Sequence, residues 1–98
     1  MNIFKNTEIK FSKETTKAIE GLCETYKVAT PILLMVFSEC KDEGEARQVI
    51  DNLNKERPSG FDIMAAYLDI FKTDSESLKN CIIEGSLIKE VAEHMKRA

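Results

Sequence analysis

The feature that most constrains this 98-residue chain is the segment Ile32 to Phe37, in which every residue is apolar. A helix that is apolar on all sides must be covered by protein on all sides. Thr30 and Pro31 precede the segment. This pair is typical of a helix start, because a proline at the first helical position loses no hydrogen bond. We therefore predict a helix over residues 31–41 that packs against a second copy of the chain on one side and against the helices of residues 42–98 on the other.

The residues before this segment predict a short strand and an amphipathic helix. Polar and apolar residues alternate over residues 8–11, as they do in a half-buried strand. Ser12 then provides an N-cap for a helix over residues 13–27. The apolar residues of that helix recur at helical spacing, and they are Ile19, Leu22, Cys23 and Tyr26.

Repeated helix-start signals predict about four further helices in the second half of the chain. We expect them over residues 43–56 and 60–71, from residue 73 to about residue 84, and from about residue 86 to the end. Their predicted capping pairs are Asp42 with Glu45, Ser59 with Asp62, and Thr73 with Glu76. Their predicted inner faces are Ala46, Val49, Ile50 and Leu53; Phe61, Met64, Ala65, Leu68 and Phe71, a face that Ile63, Tyr67 and Ile70 widen; Leu78, Cys81 and Ile82; and Leu87, Ile88, Val91, Ala92 and Met95.

The order strand, helix, short break, helix over residues 8–40 resembles the ribbon-helix-helix family of the Arc, MetJ and CopG repressors. Phe11, Ser12 and Thr30 occupy the positions where that family has an apolar strand residue, a Pro or Ser, and the opening residue of the second helix. Two features depart from the pattern, namely Lys27 in place of a glycine and Pro31 in a second helix that has no polar outer face.

The resemblance implies a mainly α fold with two regions. Residues 1–41 would form a dimeric ribbon-helix-helix unit of one short strand and two helices, which binds DNA. Residues 42–98 would form a helical cap of about four helices packed on that unit and available to a partner.

The resemblance also implies which residues contact DNA and which form the dimer. Paired strands would enter the major groove, and free N–H groups at the start of the second helix would hold a phosphate. The predicted DNA-binding residues are Asn6, Glu8, Lys10, Lys13, Lys27, Ala29 and Thr30. The predicted dimer core consists of Ile9, Phe11, Ile19, Leu22, Leu33 and Val36.

Several functions are compatible with these features. A folded cap after the DNA-binding half resembles the ParR group of plasmid partition adaptors, which implies a C-terminal region that engages an actin-like filament protein. An autorepressor is the alternative within the family, and an antitoxin is less favoured because the second half carries helix caps throughout. The apolar face Leu87, Ile88, Val91 and Met95 would either bind a partner or close the cap's own core.

An all-helical protein-interaction module without DNA binding, such as a phage accessory or inhibitor protein, is the alternative from another class. The formal net charge of −3 favours it, because DNA-binding surfaces are basic. The order of elements over residues 8–40 favours DNA binding instead.

The composition gives little support for an enzyme, a cofactor or a metal site. His94 is the single histidine, and neither a glycine-rich phosphate loop nor a metal-spaced cluster of Cys and His is present in the sequence. The three cysteines lie at helix-face positions, which is typical of reduced, buried thiols in a cytoplasmic protein. No apolar run reaches the roughly 18 residues of a membrane span, so we expect no membrane contact.

Overall fold

Six α-helices account for most of residues 11–97, the part of the chain that the computed structural model describes. The fourth helix continues without a break into a π-helical turn, Ala66–Ile70. A short 3₁₀ turn, Lys27–Ala29, joins the first two helices. The helices are α1 (Lys13–Thr25), α2 (Thr30–Ser38), α3 (Glu43–Glu56), α4 (Gly60–Ala65), α5 (Ser75–Ile83) and α6 (Leu87–Arg97).

The predicted ribbon-helix-helix fold is wrong, because residues 11–97 contain no strand. Phe11 lies just before α1 in irregular structure, and its partly buried side chain packs against the core of its own chain. The rest of the predicted strand, residues 8–10, lies outside the described residues. Alternation over four residues is a weak signal, since two apolar residues can equally be a lead-in that packs on a helical core.

The start of α1 is fixed by the predicted cap and by a residue of α3. The Ser12 hydroxyl accepts a hydrogen bond from the Thr15 backbone N–H at 3.2 Å, which confirms Ser12 as the N-cap. The Glu43 carboxylate accepts from the Ser12 N–H at 2.7 Å and from the Thr15 hydroxyl at 3.1 Å. One carboxylate therefore joins the first turn of α1 to the first turn of α3.

Helix α2 is covered on both sides by helices of its own chain. It packs between α1 and α5, and its buried side chains are Ile32, Leu33, Val36 and Phe37. The sequence predicted Thr30 as the N-cap, and this is wrong. Ala29 occupies the N-cap position and makes no side-chain hydrogen bond there. The Thr30 hydroxyl instead donates back to the carbonyl of Cys23 at 2.9 Å.

Helices α3 and α5 pack against each other with the predicted residues inside. Ala46, Val49, Ile50 and Leu53 of α3 are buried, as are Leu78, Cys81 and Ile82 of α5. The Asn52 side-chain amide donates to the carbonyls of Ile82 at 2.8 Å and Ile83 at 2.9 Å. These carbonyls belong to the last turn of α5, where intrahelical donors run out, although the Ile82 carbonyl also accepts from the Gly85 N–H at 3.0 Å.

Two of the predicted capping pairs form differently from the prediction. Asp42 accepts from the Glu45 N–H as expected, but Glu45 accepts from the N–H of Lys41 rather than from its cap residue. The N-cap of α5 is Asp74, which accepts from the Ser77 N–H, and not Thr73. The pair of Ser59 and Asp62 forms the complete reciprocal capping box that the sequence predicts for α4.

The inner face predicted for residues 60–71 is confirmed in part, because Ile63, Met64, Tyr67, Ile70 and Phe71 are buried or packed against the core. Ile63 and Ala66 are fully buried, whereas Phe61 is 75% exposed and Leu68 is 50% exposed. The apolar residues of this helix lie on all of its sides, so their spacing in the sequence is compatible with more than one inner face. The π-helical turn, in which the Phe71 N–H bonds to the Ala66 carbonyl at 2.8 Å, also changes the spacing after Ala66.

Helix α6 packs against α4 and its π-helical turn. Leu87 and Val91 are buried, as predicted, whereas Ile88 is 41% exposed and Met95 is 68% exposed. Buried side chains from all six helices belong to one hydrophobic core. Gly85 precedes α6 with a φ of 72°, which confirms it as the residue that ends α5.

Candidate functional site

The predicted DNA-binding residues do not form one described surface. Asn6, Glu8 and Lys10 lie outside the described residues. Lys13 and Lys27 are exposed, in the first turn of α1 and in the 3₁₀ turn respectively.

The two backbone N–H groups predicted to hold a phosphate are already used. The Ala29 N–H bonds to the Tyr26 carbonyl at 2.9 Å, and the Thr30 N–H bonds to the Lys27 carbonyl. Ala29 is also fully buried. The start of α2 therefore does not present these two groups to a ligand.

The predicted dimer-core residues lie inside a single chain. Ile19, Leu33 and Val36 are fully buried, and Leu22 is 5% exposed, without any second chain present. Phe11 is partly buried against the same core, and Ile9 lies outside the described residues. The four buried side chains therefore have almost no surface left for a partner subunit.

The predicted partner-binding face of α6 is only partly accessible. Leu87 and Val91 are buried in the chain's own core. Ile88 and Met95 remain exposed on the outside of the helix. The sequence predicted that this face would either bind a partner or close the core, whereas the structure buries two of its four residues and exposes the other two.

The described residues offer little for catalysis. Over residues 11–97, no group of three or more His, Cys, Asp or Glu side chains is arranged to hold a metal ion. Burial raises the pKa of Cys40 to about 12, with Lys79 acting in the opposite direction. Burial likewise raises the pKa of the Cys23 and Cys81 thiols. Thiolates are the reactive form of cysteine, so these three residues are poorly suited to nucleophilic chemistry.

Among the helices of residues 11–97, none combines the length and the apolar composition that crossing a membrane requires.

One concave surface of the described residues lies between α1 and α3. We call it the Tyr26 cleft, and it has a volume of about 360 Å³. Leu22 and Tyr26, four residues apart on α1, face Leu53 of α3 and give the cleft an apolar floor. The complete lining is Leu22, Thr25, Tyr26, Leu53, Asn54, Arg57 and Pro58.

Arg57 lines this cleft from an uncommon backbone position. It is the C-cap of α3 and adopts the left-handed conformation, with φ 50° and ψ 54°, where glycine is the usual residue. Its N–H donates to the Leu53 carbonyl at 3.0 Å, so the backbone completes the helix end. The guanidinium is exposed and makes no ion pair or hydrogen bond with any residue in the range 11–97.

The phenol of Tyr26 brings a second polar group to the cleft. Burial is the main cause that raises the pKa of Tyr26, while the Arg57 guanidinium lowers it and the Asp62 carboxylate raises it. The hydroxyl is therefore protonated at neutral pH and able to donate a hydrogen bond. The Thr25 hydroxyl already donates to the Gly21 carbonyl at 3.0 Å, which leaves its oxygen as an acceptor.

Two exposed apolar side chains lie close in the chain to residues of the cleft lining, and we call them the apolar rim. Val28 is 53% exposed in the 3₁₀ turn, and Phe61 is 75% exposed in the first turn of α4. The two elements pack together at Gly60, where a Cβ atom would lie only 2.6 Å from Val28 Cγ1. Val28 follows Tyr26 closely in the chain, and Phe61 follows Pro58 closely.

The sequence predicted neither the cleft nor the rim. It left residues 57–59 between two predicted helices, and it placed Phe61 on an inner face. One available signal was an arginine at the position after a helix where glycine is usual. Comparisons of the chain with models of protein families, with curated proteins and with solved structures found no match.

Proposed function

We propose that this chain is an all-helical protein-interaction module that binds its partner through the apolar rim and the adjoining Tyr26 cleft. The observation that carries the proposal is the exposure of Phe61, at 75%, beside the exposed Val28. Aromatic residues dominate binding energy at protein interfaces, where they insert into pockets of a partner.

Single exposed apolar residues are common on protein surfaces and need no explanation. The rim differs from that case because its two residues lie on elements that pack together at Gly60. A partner can cover Phe61 and Val28 with an apolar segment and reach the exposed polar residues of the cleft lining, Thr25, Asn54 and Arg57. Exposed apolar residues rimmed by polar ones are typical of an interaction surface.

Burial within one chain accounts for the features that suggested a DNA-binding dimer. Helix α2 is apolar on all sides because α1 and α5 cover it. DNA binding was predicted from a ribbon-helix-helix fold that the described residues do not have. DNA binding is therefore the competing hypothesis that the experiment below tests.

The test is to pan a phage-displayed library of random short peptides against the full chain and to measure the affinity of the enriched peptides. The Phe61→Ser variant is expected to bind them about tenfold more weakly, because it removes a central aromatic anchor. Leu68→Ser is the matched control. Leu68 is a half-exposed apolar residue of the same helical segment outside the rim, and its variant is expected to bind normally.

Other results would overturn the proposal. One is a library that yields no peptide above background. Another is peptide binding that Phe61→Ser and Leu68→Ser weaken equally. A third is binding to duplex DNA that falls steeply with salt, since this would show that phosphates are the ligand. A fourth is self-association that Phe61→Ser abolishes, because a second copy would then occupy the rim.

A further inference from the structure

A hydrogen bond from an aromatic hydroxyl to a thioether joins the π-helical turn to α2. The Tyr67 hydroxyl donates to Met35 Sδ at 3.4 Å. We infer that Met35 is a redox-sensitive site, at which a peroxide converts the thioether to a sulfoxide whose new oxygen accepts the hydrogen bond from Tyr67. The inference is independent of the proposed function, since neither residue belongs to the apolar rim or lines the Tyr26 cleft.

The methionine thioethers are the sulfur groups of this chain that an oxidant attacks most readily. Oxidation of a cysteine proceeds through its thiolate. Burial disfavours that form, because it raises the pKa of Cys23, Cys40 and Cys81. A thioether has no proton to lose, so its oxidation to a sulfoxide has no such requirement.

Met35 differs from the other methionines of residues 11–97 in having a hydrogen-bond donor at its sulfur. Met95 is 68% exposed on α6, and Met64 is partly buried against the core. Neither of these two sulfur atoms accepts a hydrogen bond from the described residues. Met35 is partly buried at the edge of the core, so part of its side chain remains open to a small oxidant.

The reaction needs one molecule of oxidant and no protein base. The lone pair of the Met35 sulfur attacks one oxygen of hydrogen peroxide, and the O–O bond breaks. The second oxygen leaves as water with both hydrogens, so the sulfur is oxidised while the peroxide is reduced. The product is a sulfoxide, a polar group that sulfoxide reductases return to the thioether.

The Tyr67 hydroxyl is placed to hold this product. A thioether is a weak acceptor, whereas a sulfoxide oxygen is polar and is costly to bury without a donor. An oxygen bonded to the Met35 sulfur lies closer to the Tyr67 hydroxyl than the sulfur does when it points to that side. The flexible methionine side chain adjusts this distance to that of an ordinary hydrogen bond.

The position of Tyr67 follows from the π-helical turn Ala66–Ile70. The Tyr67 carbonyl accepts from the Thr73 N–H at 2.7 Å, and its side chain packs against the core. π-helical turns are uncommon and are frequently found at functional sites. Here the turn presents a hydroxyl to the one methionine of residues 11–97 whose sulfur accepts a hydrogen bond.

The test uses the full chain carrying Met64→Leu and Met95→Leu, which conserve side-chain volume and leave Met35 as the oxidisable methionine of residues 11–97. Dilute hydrogen peroxide is added, mass spectrometry of peptides measures the sulfoxide at Met35, and thermal unfolding is recorded before and after. Oxidation is expected to change the Tm little. In Tyr67→Phe the same oxidation is expected to lower the Tm by about 5 °C more, because the sulfoxide lacks its donor.

Met35→Leu in the same background is the matched control. It removes the thioether at nearly constant volume. Peroxide is expected to leave its Tm unchanged, with or without Tyr67→Phe. This control accounts for oxidation at Met1, which lies outside the described residues, and at the cysteines.

Three results would overturn the inference. One is a Met35 that resists the peroxide concentration at which Met95 of the wild type is fully oxidised, since the site would then be closed to the oxidant. Another is an equal loss of Tm with and without Tyr67→Phe, because Tyr67 would then not hold the sulfoxide. The third is a loss that persists in Met35→Leu, which would place the responsible oxidation elsewhere.

Discussion

The ammonium group of Lys79 donates to Glu45 Oε1 at 2.9 Å, although Lys79 is only 1% exposed. The pair joins α5 to α3 and places a full positive charge inside the core. The Glu45 side chain is 26% exposed and also accepts from the Lys41 N–H at 2.8 Å, so it is partly solvated without the lysine. The buried Lys79 therefore needs the ion pair more than Glu45 does, because Glu45 keeps contact with solvent and a second hydrogen bond without it.

We predict that Glu45→Gln lowers the free energy of unfolding by about 3 kcal/mol, because it leaves the buried ammonium without a counter-charge. Lys79→Met is expected to cost about 1 kcal/mol or less, since a flexible apolar side chain fills the space. Urea unfolding measures both. Glu93→Gln is the control, because its pair with Arg97 is exposed. An equal or larger loss in Lys79→Met would show that the ion pair itself stabilises the fold.

The second prediction concerns the end of α5. Asn52→Asp is expected to lower the free energy of unfolding by about 2 kcal/mol, because a carboxylate would replace the amide that donates to the carbonyls of Ile82 and Ile83. Asn54→Asp introduces the same charge two residues later on an exposed position and is expected to leave stability nearly unchanged. Chemical denaturation compares the two, and equal losses would argue against the end of α5 as the cause.

The third prediction concerns the stability of the fold at acidic pH. The N–H of Ser12 is the main cause that lowers the pKa of Glu43, with further hydrogen bonds from the Ser12 and Thr15 hydroxyls. A lowered pKa in the folded state means that the unfolded chain binds more protons as the pH falls. The stabilisation is therefore complete above about pH 5 and is lost as the pH falls through the folded pKa of Glu43.

Thermal unfolding of the wild type and Glu43→Gln from neutral to acidic pH checks this prediction. The variant is expected to melt at a lower temperature at pH 7, and the difference is expected to shrink below about pH 4. Glu24→Gln serves as the control, because that exposed carboxylate on α1 makes no hydrogen bond to the described residues. Melting curves of the wild type and Glu43→Gln that stay parallel at all pH values would contradict the prediction.

The fourth prediction concerns the backbone of Arg57. Arg57→Gly is expected to raise the free energy of unfolding by about 1 kcal/mol, because glycine adopts a φ of 50° without steric cost. Arg47→Gly, inside α3, is expected to lower stability by about 1 kcal/mol. Equilibrium unfolding measures both, and a loss of stability in Arg57→Gly would mean that the arginine side chain supports the fold.

Local signals predicted most of the helices. Ser12 and the pair of Ser59 and Asp62 act within one helical turn of their partners, so their role is readable from neighbouring residues. The inner faces of α3 and α5 were also predicted, because each combines an apolar stripe with a polar outer face. Thr73 was placed wrongly because Asp74, one residue later, offers an equally good cap.

The features that the sequence did not predict depend on contacts between helices that are distant in the chain. The inner face of α4 depends on which neighbours it meets, and its apolar residues surround the helix. Lys79 is polar by type, so its burial follows only from the position of Glu45 on another helix. The Tyr26 cleft requires α1 and α3 to lie side by side, and no local pattern around Leu22 or Leu53 specifies that arrangement.

The π-helical turn Ala66–Ile70 also limits how the length of this chain can vary. Deleting the exposed Asp69 would let the turn close as an ordinary α-helix, but each residue of an α-helix accounts for about 100° of rotation. Everything after Phe71 would then start from a different direction, and Leu78 and Ile82 would no longer reach the core together. Insertions and deletions are therefore expected to be excluded from this turn during evolution, even at the exposed positions Leu68 and Asp69.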